Sequence, residues 1–104
     1  MNAKFGELIQ SSTPVLVDFF ATWCGPCQTL GPILQQLSAE VGDHVRIIKI
    51  DVDKNQAIAS IYNVRSVPTM LLFQNGELKW RGAGVLPAHQ LKTIIQQHTD
   101  AKLV

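Results

Sequence analysis

Residues 15–20, Val-Leu-Val-Asp-Phe-Phe, constrain the fold more than any other segment of this chain. Asp18 is the one polar residue in the run, so apolar and polar side chains do not alternate. An uninterrupted apolar run of this length is typical of a central strand that is covered on both faces, because an exposed face would carry polar residues. The run therefore predicts an α/β protein with residues 15–20 in the middle of its sheet.

Helical patterns occur between the strand patterns. Apolar residues recur at helical spacing over 24–41 and stop at Gly42, and Pro32 lies among them, where we expect it to bend the helix. Shorter helical stripes lie elsewhere, and the last one leads into a polar tail that we expect to fray. The first of these helices follows Asn2, which is a plausible cap, and the second spans residues 55–61. The last one carries Pro87 in its first turn.

Three further segments have the composition of strands. Residues 45–52 are rich in β-branched side chains, and the long helix before them allows this strand to run parallel to the first. Residues 69–74 and 77–81 flank Asn75-Gly76, a pair that tolerates positive φ and favours a tight hairpin. We therefore expect a mixed four-stranded sheet, with the first two strands parallel, the last two an antiparallel hairpin, and helices on both faces.

The composition fits one small domain. With 104 residues, 46% hydrophobic and 16% charged, the chain can bury one core, and we expect residues 1–104 to form a single domain. The formal net charge is +1 and the basic residues are scattered, which argues against nucleic-acid binding. No apolar run approaches the roughly 20 residues that span a bilayer, and the N-terminus lacks the pattern of an export signal. We therefore expect a cytoplasmic protein with no membrane or nucleic-acid partner.

Cys24-Gly25-Pro26-Cys27 lies where the first strand ends and the long helix begins. Residues three apart on a helix have Cβ atoms about 5 to 6 Å apart, so the two thiols can close and reopen a disulfide in place. The amides and the dipole at a helix N-terminus stabilise a thiolate, which predicts that Cys24 is the accessible, attacking thiol. Cys27 falls on the apolar stripe of the helix, so we expect it to point inward and to resolve the mixed disulfide.

Two cysteines at this spacing also occur in zinc sites. Zinc usually takes four ligands, and the histidines of this chain lie on predicted turns or on the remote last helix. These histidines are His44, His89 and His98. We therefore expect redox exchange and no metal.

A set of spaced motifs runs through the chain. They are Val17-Asp18-Phe19-Phe20-Ala21, Trp23-Cys24-Gly25-Pro26-Cys27, Pro32, Lys49-Ile50-Asp51-Val52-Asp53, Val67-Pro68-Thr69 and Gly84. With these motifs the chain resembles the thioredoxin family over nearly its whole length. The resemblance implies the thioredoxin fold and a general protein-disulfide reductase, an electron donor that works by thiol–disulfide exchange. It also implies disulfide-containing protein substrates, a flavin-dependent thioredoxin reductase that recharges the pair, a monomer, and no cofactor beyond the Cys24–Cys27 disulfide.

The family pattern gives Asp18 the role of the buried acid below the cysteines. Because its strand is otherwise apolar, desolvation should raise the pKa of this carboxyl, which can then exchange a proton with Cys27. Lys49 matches the family's partner lysine on the neighbouring strand. An alternative is that Asp18 and Lys49 form a purely structural pair, and both roles can hold together.

Pro68 matches the family's cis-proline, which faces the cysteines across the active site. It has no N–H to donate to a sulfur, and the backbone of Val67 is left to pair with an extended substrate. The resemblance implies a flat apolar rim around Cys24 that binds unfolded or loop segments of many proteins. The rim residues are Trp23, Gly25, Pro26, Val67, Pro68, Gly84 and Val85.

Three rim residues have alternative roles that the sequence leaves open. Pro68 can be an ordinary loop proline and Trp23 a core side chain. Gly84 can serve only as a bend near Gly82.

The chain departs from the family pattern before its central strand. Many members have an additional strand there, whereas residues 1–13 of this chain have a helical pattern. We therefore predict four strands rather than five, with an exposed edge along 45–52. Many members also carry Trp where this chain has Phe20, and Trp80, which has no obvious family role, is expected to pack on the sheet.

Two other functions use the same features. An oxidase or isomerase of the same fold would use the same cysteines, but Gly25-Pro26 between them resembles the reducing branch, and an oxidising compartment would require export. In a binding module the apolar rim would dock a partner and the thiols would be incidental. Replacing Cys24 separates such a module from a reductase.

Overall fold

The computed structural model describes residues 3–103, and the predicted cap Asn2 lies outside them. Helices and strands follow one another along the described chain in the order that the sequence patterns predict. The elements are α1 (Ala3–Ile9), β1 (Val15–Phe20), α2 (Gly25–Val41), a one-turn 3₁₀ helix (Gly42–His44), β2 (Arg46–Asp51), α3 (Gln56–Ile61), β3 (Thr69–Gln74), β4 (Glu77–Ala83) and α4 (Ala88–His98).

The strands form one four-stranded sheet in the order β2-β1-β3-β4. β1 runs parallel to β2 and antiparallel to β3, and β3 pairs antiparallel with β4. The residues of β1 from Val15 to Phe19 are each at most 1% exposed. The mixed sheet and its buried central strand are therefore confirmed.

Alternate residues of the sheet contribute to two cores on its opposite faces. On one face Leu16 and Met70 pack with α2 and α4, and on the other Val17 and Phe73 pack with α1 and α3. Helices therefore cover both faces, as predicted. This layering brings the carboxyl end of β1 and the amino end of α2 together at one edge of the sheet.

Local sequence signals account for the β3–β4 hairpin. Asn75 and Gly76 have φ of 55° and 80°, the left-handed conformation that the predicted tight turn requires. Trp80 is half-buried against the α2–α4 core and covers Gly82 so closely that a Cβ there would collide with the indole ring. The predicted packing of Trp80 on the sheet is confirmed.

The prediction that the C-terminal tail frays is wrong. Leu103 is only 8% exposed and belongs to the α2–α4 core. Its carbonyl accepts a hydrogen bond from the side chain of Gln96, and Asp100 is bonded to the side chain of Gln74. Leu103 and the partly buried Ala101, together with these polar contacts, dock the tail on the core.

The predicted exposed edge is confirmed for the described residues. β2 is an outer strand, and its residues are half-buried or exposed, whereas β3 is buried throughout. Residues 3–103 contain four sheet strands, as predicted.

Candidate active site

Cys24 and Cys27 lie at the junction between β1 and α2. Cys24 has extended backbone angles (φ −89°, ψ 116°) and caps α2. The N–H of Cys27 donates to Sγ of Cys24 at 3.1 Å, as an N–H does to a serine or aspartate oxygen at other helix N-termini. A negative charge on this sulfur is stabilised there, because the helix amides at this end have no internal acceptor. The predicted place of Cys24 at the helix N-terminus is confirmed.

The two cysteines form a disulfide, and their Cα atoms are 5.3 Å apart. Both side chains are buried, 4% and 5% exposed, in a cluster with Ala21. Val67 packs against this cluster, and its carbonyl oxygen lies 3.7 Å from Sγ of Cys24. The greater exposure predicted for Cys24 is therefore absent from the disulfide form, because Cys27 and the Val67 loop cover its sulfur.

Asp18 lies in β1 without a polar partner. It is 0% exposed, and neither carboxylate oxygen has a hydrogen-bond partner. Burial raises the pKa of this carboxyl from 3.8 to about 6, and the positive charge of Lys49 opposes the shift. Side chains two apart on a strand share a face, so Asp18 lies next to Phe20, which packs against the cysteine cluster. The predicted rise in the pKa of Asp18 is confirmed.

Lys49 is the register partner of Asp18 on β2. Its ammonium lies 4.7 Å from the centroid of the Phe20 ring, and it makes no hydrogen bond to the Asp18 carboxylate. Lys49 therefore acts on Asp18 through its electrostatic field, while the cation–π contact holds its side chain. The purely structural ion pair considered for these residues is not formed.

The Val67–Pro68 peptide bond is cis, as the family resemblance implies. Pro68 is buried, and its carbonyl accepts a hydrogen bond from the N–H of Gly84 at 3.0 Å. Gly84 has φ +89°, a backbone conformation that favours glycine. On the other side of Pro68, the hydroxyl of Thr69 donates to the carbonyl of Ser66 at 2.7 Å. β3 and the end of β4 thus hold this loop beside the cysteines.

Trp23 is 70% exposed, which excludes the core role considered for it. Its indole Nε1 donates to Oδ2 of Asp53 at 2.9 Å. A shallow cavity of about 130 Å³ opens beside the ring, along Val64 and Val67. The sequence reasoning missed Asp53 as the partner of Trp23, although Asp53 closes one of the quoted motifs. The two residues are 30 positions apart, so no local pattern reveals the contact.

The remaining predicted rim residues lie at the surface. Gly25 and Pro26 open α2 between the two cysteines and are exposed. Val85 follows Gly84 and is 38% exposed. Their contact with a substrate stays a prediction.

Within residues 3–103, three or more His, Cys, Asp or Glu side chains do not come together where they could hold a metal ion. In the same range, every helix is too short or too polar to cross a membrane.

A cysteine pair that closes a disulfide at the start of a helix, beside a cis-proline loop at the end of a mixed sheet, defines a class of thiol–disulfide exchange proteins. Comparison with known proteins makes the assignment specific. The thioredoxin family model matches residues 1–97, and the chain belongs to the thioredoxin family. Thioredoxins are protein-disulfide oxidoreductases, and Cys24 and Cys27 are the redox pair of this chain.

Relatives from plants, bacteria and archaea support the assignment. Thioredoxin Y, chloroplastic, of rice is 49% identical over 100 residues, which cover 95% of this chain and 58% of the relative. Thioredoxin of Haemophilus influenzae is 44% identical over 91 residues, which cover 88% of this chain and 85% of the relative. The solved structure of a mutant thioredoxin from Halobacterium salinarum superposes with a TM-score of 0.86 at 38% identity, covering 100% of this chain and 88% of that one.

Proposed function

We propose that this protein is a general protein-disulfide reductase in which Cys24 attacks and Cys27 resolves. The observation that carries the proposal is the position of the Cys24 sulfur, which caps α2 and accepts a hydrogen bond from the N–H of Cys27 at 3.1 Å. In the reduced form the same amide and the helix dipole favour the thiolate, which is the attacking species in disulfide exchange.

The reaction runs through two exchanges. The Cys24 thiolate attacks one sulfur of a substrate disulfide, forms a mixed disulfide and releases the other substrate sulfur as a thiolate. The Cys27 thiolate then attacks Sγ of Cys24, closes the Cys24–Cys27 disulfide seen here and releases the second substrate sulfur. Two electrons pass to the substrate, and the protons that its thiolates take up come from the protein thiols and the solvent.

Asp18 is the proposed proton acceptor for Cys27. Its carboxyl is buried, lacks a hydrogen-bond partner and has a pKa raised to about 6, so it can change protonation state near neutral pH. Lys49 lowers the cost of the charged carboxylate without bonding to it. Asp18 is therefore a buried acid whose pKa is lowered by the positive charge of the exposed Lys49, in opposition to the effect of burial.

The substrate is proposed to lie along the rim as an extended segment. The hydrogen bond from Gly84 and the hydroxyl of Thr69 fix the loop that carries Val67, whose backbone can pair with a substrate strand. Trp23 supplies an exposed aromatic face that is held by Asp53. Gly25, Pro26 and Val85 are exposed and complete this surface, while Pro68 is buried and supports the loop that carries Val67. An open surface of this kind suits many substrates.

Partners and location follow from this chemistry. A reductase whose dithiol has been oxidised needs a two-electron donor, and we propose a flavin-dependent thioredoxin reductase for this role. The chain itself is proposed to need no cofactor beyond the Cys24–Cys27 disulfide. The catalytic unit is one copy and one domain, residues 1–104, because Cys24, Cys27, Asp18 and Pro68 come from a single chain. The proposed location is the reducing cytoplasm, and the net charge of +1 supports the absence of nucleic-acid partners.

Trapping the mixed disulfide tests the order of attack. With Cys27→Ser the first exchange can proceed but the second cannot, so an adduct between Cys24 and a disulfide substrate such as insulin should accumulate and be visible by mass spectrometry. Cys24→Ser is the matched control, because it retains one thiol of the same motif and should form little adduct. Efficient adduct formation through Cys27 in the control would contradict the assigned roles. Partner docking and biological rescue retained by the inactive control would favour the binding module instead.

A further inference from the structure

The outer edge of β2 presents backbone groups that the sheet does not use. The N–H of Arg46 donates to the carbonyl of Pro14, and the N–H of Val52 donates to the carbonyl of Phe20, both at 2.9 Å. Because strand residues alternate in direction, even-numbered residues of β2 bond to β1 and odd-numbered residues face outward. The outward N–H and C=O groups are those of Ile47, Lys49 and Asp51. The Asp51 carbonyl already accepts a hydrogen bond from Nδ2 of Asn55 at 3.0 Å and can accept a second one, because a carbonyl oxygen has two lone pairs.

The two edges of the sheet differ in how well they are protected. β4, at the far edge, is paired through a register shift at Leu72/Phe73, and such irregularities discourage further pairing. β2 keeps regular register with β1 over its whole length. Ile48 and Ile50 on β2 are only half-buried, so apolar surface flanks the outward-facing backbone groups.

The charges along β2 select one way of pairing it with itself. In an antiparallel pair of identical strands, outward-facing residues lie opposite one another. Centring the pair on Lys49 would set two like charges against each other, whereas centring it on Ile50 sets Lys49 of each copy opposite Asp51 of the other. The second register also places Ile48 opposite Val52, and these apolar and opposite-charge pairs stabilise a strand pair.

We propose that β2 is a self-association edge, which pairs antiparallel with β2 of a second copy in the register centred on Ile50. The two sheets then run into one continuous sheet, and the half-exposed isoleucines are covered on both copies. The pairing adds no residue from the second copy to the cysteine site, so it goes beyond the proposed function and does not depend on it.

A charge-swap experiment tests this edge by analytical ultracentrifugation over a wide range of concentrations. Lys49→Asp leaves acids at both positions and Asp51→Lys leaves bases at both, so each variant alone should lose about tenfold or more in dimer affinity. An equimolar mixture of the two variants restores both opposite-charge pairs and should form a heterodimer. Lys79→Glu reverses a charge on β4 and is the matched control, which should associate like the unmodified protein.

Three outcomes would overturn the proposal. One is an unmodified protein that stays monomeric at every concentration, and another is a pair of variants that associate as well as the unmodified protein does. The third is slow hydrogen exchange of the Ile47, Lys49 and Asp51 amides in dilute solution, because it would show that another segment of the same chain covers the edge. A heterodimer in the mixture also demonstrates that both variants are folded.

Discussion

At the scale of single residues, the site combines two buried groups with opposite electrostatic environments. The sulfur of Cys24 accepts a hydrogen bond from a backbone amide at the N-terminus of α2, where negative charge is stabilised. The carboxylate of Asp18 accepts no hydrogen bond at all in β1, where negative charge is destabilised. One strand and the helix that follows it thus favour a thiolate at Cys24 and raise the pKa of the Asp18 carboxyl behind it to about 6.

The pH dependence of stability tests the state of Asp18. Its pKa is about 6 in the folded protein against an ordinary 3.8, so the folded form binds this proton more tightly than the unfolded chain does. Stability contributed by this proton is complete below about pH 4 and is lost as the pH rises to about 6, with a total of roughly 3 kcal/mol. Asp18→Asn cannot titrate, so denaturant unfolding of the disulfide form should lack this fall.

The same variant tests the proton-transfer role. Asp18→Asn should slow the turnover of a protein disulfide at neutral pH, because Cys27 loses its proton acceptor. A variant with unchanged kinetics would contradict that role, and one whose stability still falls between pH 4 and 6 would contradict the raised pKa.

At the scale of elements, the loop beside the cysteines is held by its neighbours in the sheet. The N–H of Gly84 donates to the carbonyl of Pro68, and the backbone after β4 turns at the same residue, where φ is +89°. A Cβ at Gly84 would meet open space, so any cost of adding one arises from the backbone conformation and not from a collision. The end of β4 therefore determines where the substrate loop lies.

Gly84→Ala isolates that backbone effect. We expect a loss of about 1 to 2 kcal/mol in the free energy of unfolding and a higher KM for protein substrates, because the anchor of Pro68 shifts. Gly6→Ala is the matched control, since Gly6 lies inside α1 with open space around it, and it should gain about 0.5 to 1 kcal/mol. Equal effects on stability at the two positions would contradict the assigned role of Gly84.

The elements also show how far sequence patterns reach. The burial of β1 and the Asn75-Gly76 turn were predictable because each depends on neighbouring residues. The docked Leu103 was missed because its partners lie far away in the chain, and a polar tail gives no local sign of them. The burial of Cys24 was missed for a similar reason, since the Val67 loop that covers it comes 43 residues later.

The roles of the site residues divide in the same way. The spacing of the two cysteines and their position at the start of a helix are enough to predict disulfide exchange. For Asp18 and Pro68 the residues alone indicate a buried acid and an X-Pro bond, and the family resemblance supplied the remaining details. The contact between Trp23 and Asp53 required the fold, because the turn before α2 and the loop after β2 meet only in three dimensions.

At the scale of the whole molecule, the fold places all its chemistry at one edge of the sheet and leaves another edge open. The carboxyl end of β1, the start of α2 and the cis-proline loop before β3 converge on the cysteine pair. Among residues 3–103, no strand pairs with the outer edge of β2. A reductase needs only the first of these surfaces, so disulfide exchange does not require self-association and self-association does not require disulfide exchange.

The redox equilibrium of the intact protein with glutathione directly tests whether the Cys24–Cys27 pair works as a reductant. The fraction of Cys24–Cys27 disulfide is measured by thiol alkylation after equilibration in buffers of graded glutathione ratio. A reductase of this family should show a midpoint of about −270 mV, where the dithiol readily donates its electrons. A midpoint above about −180 mV, the range of disulfide isomerases and oxidases, would contradict the account.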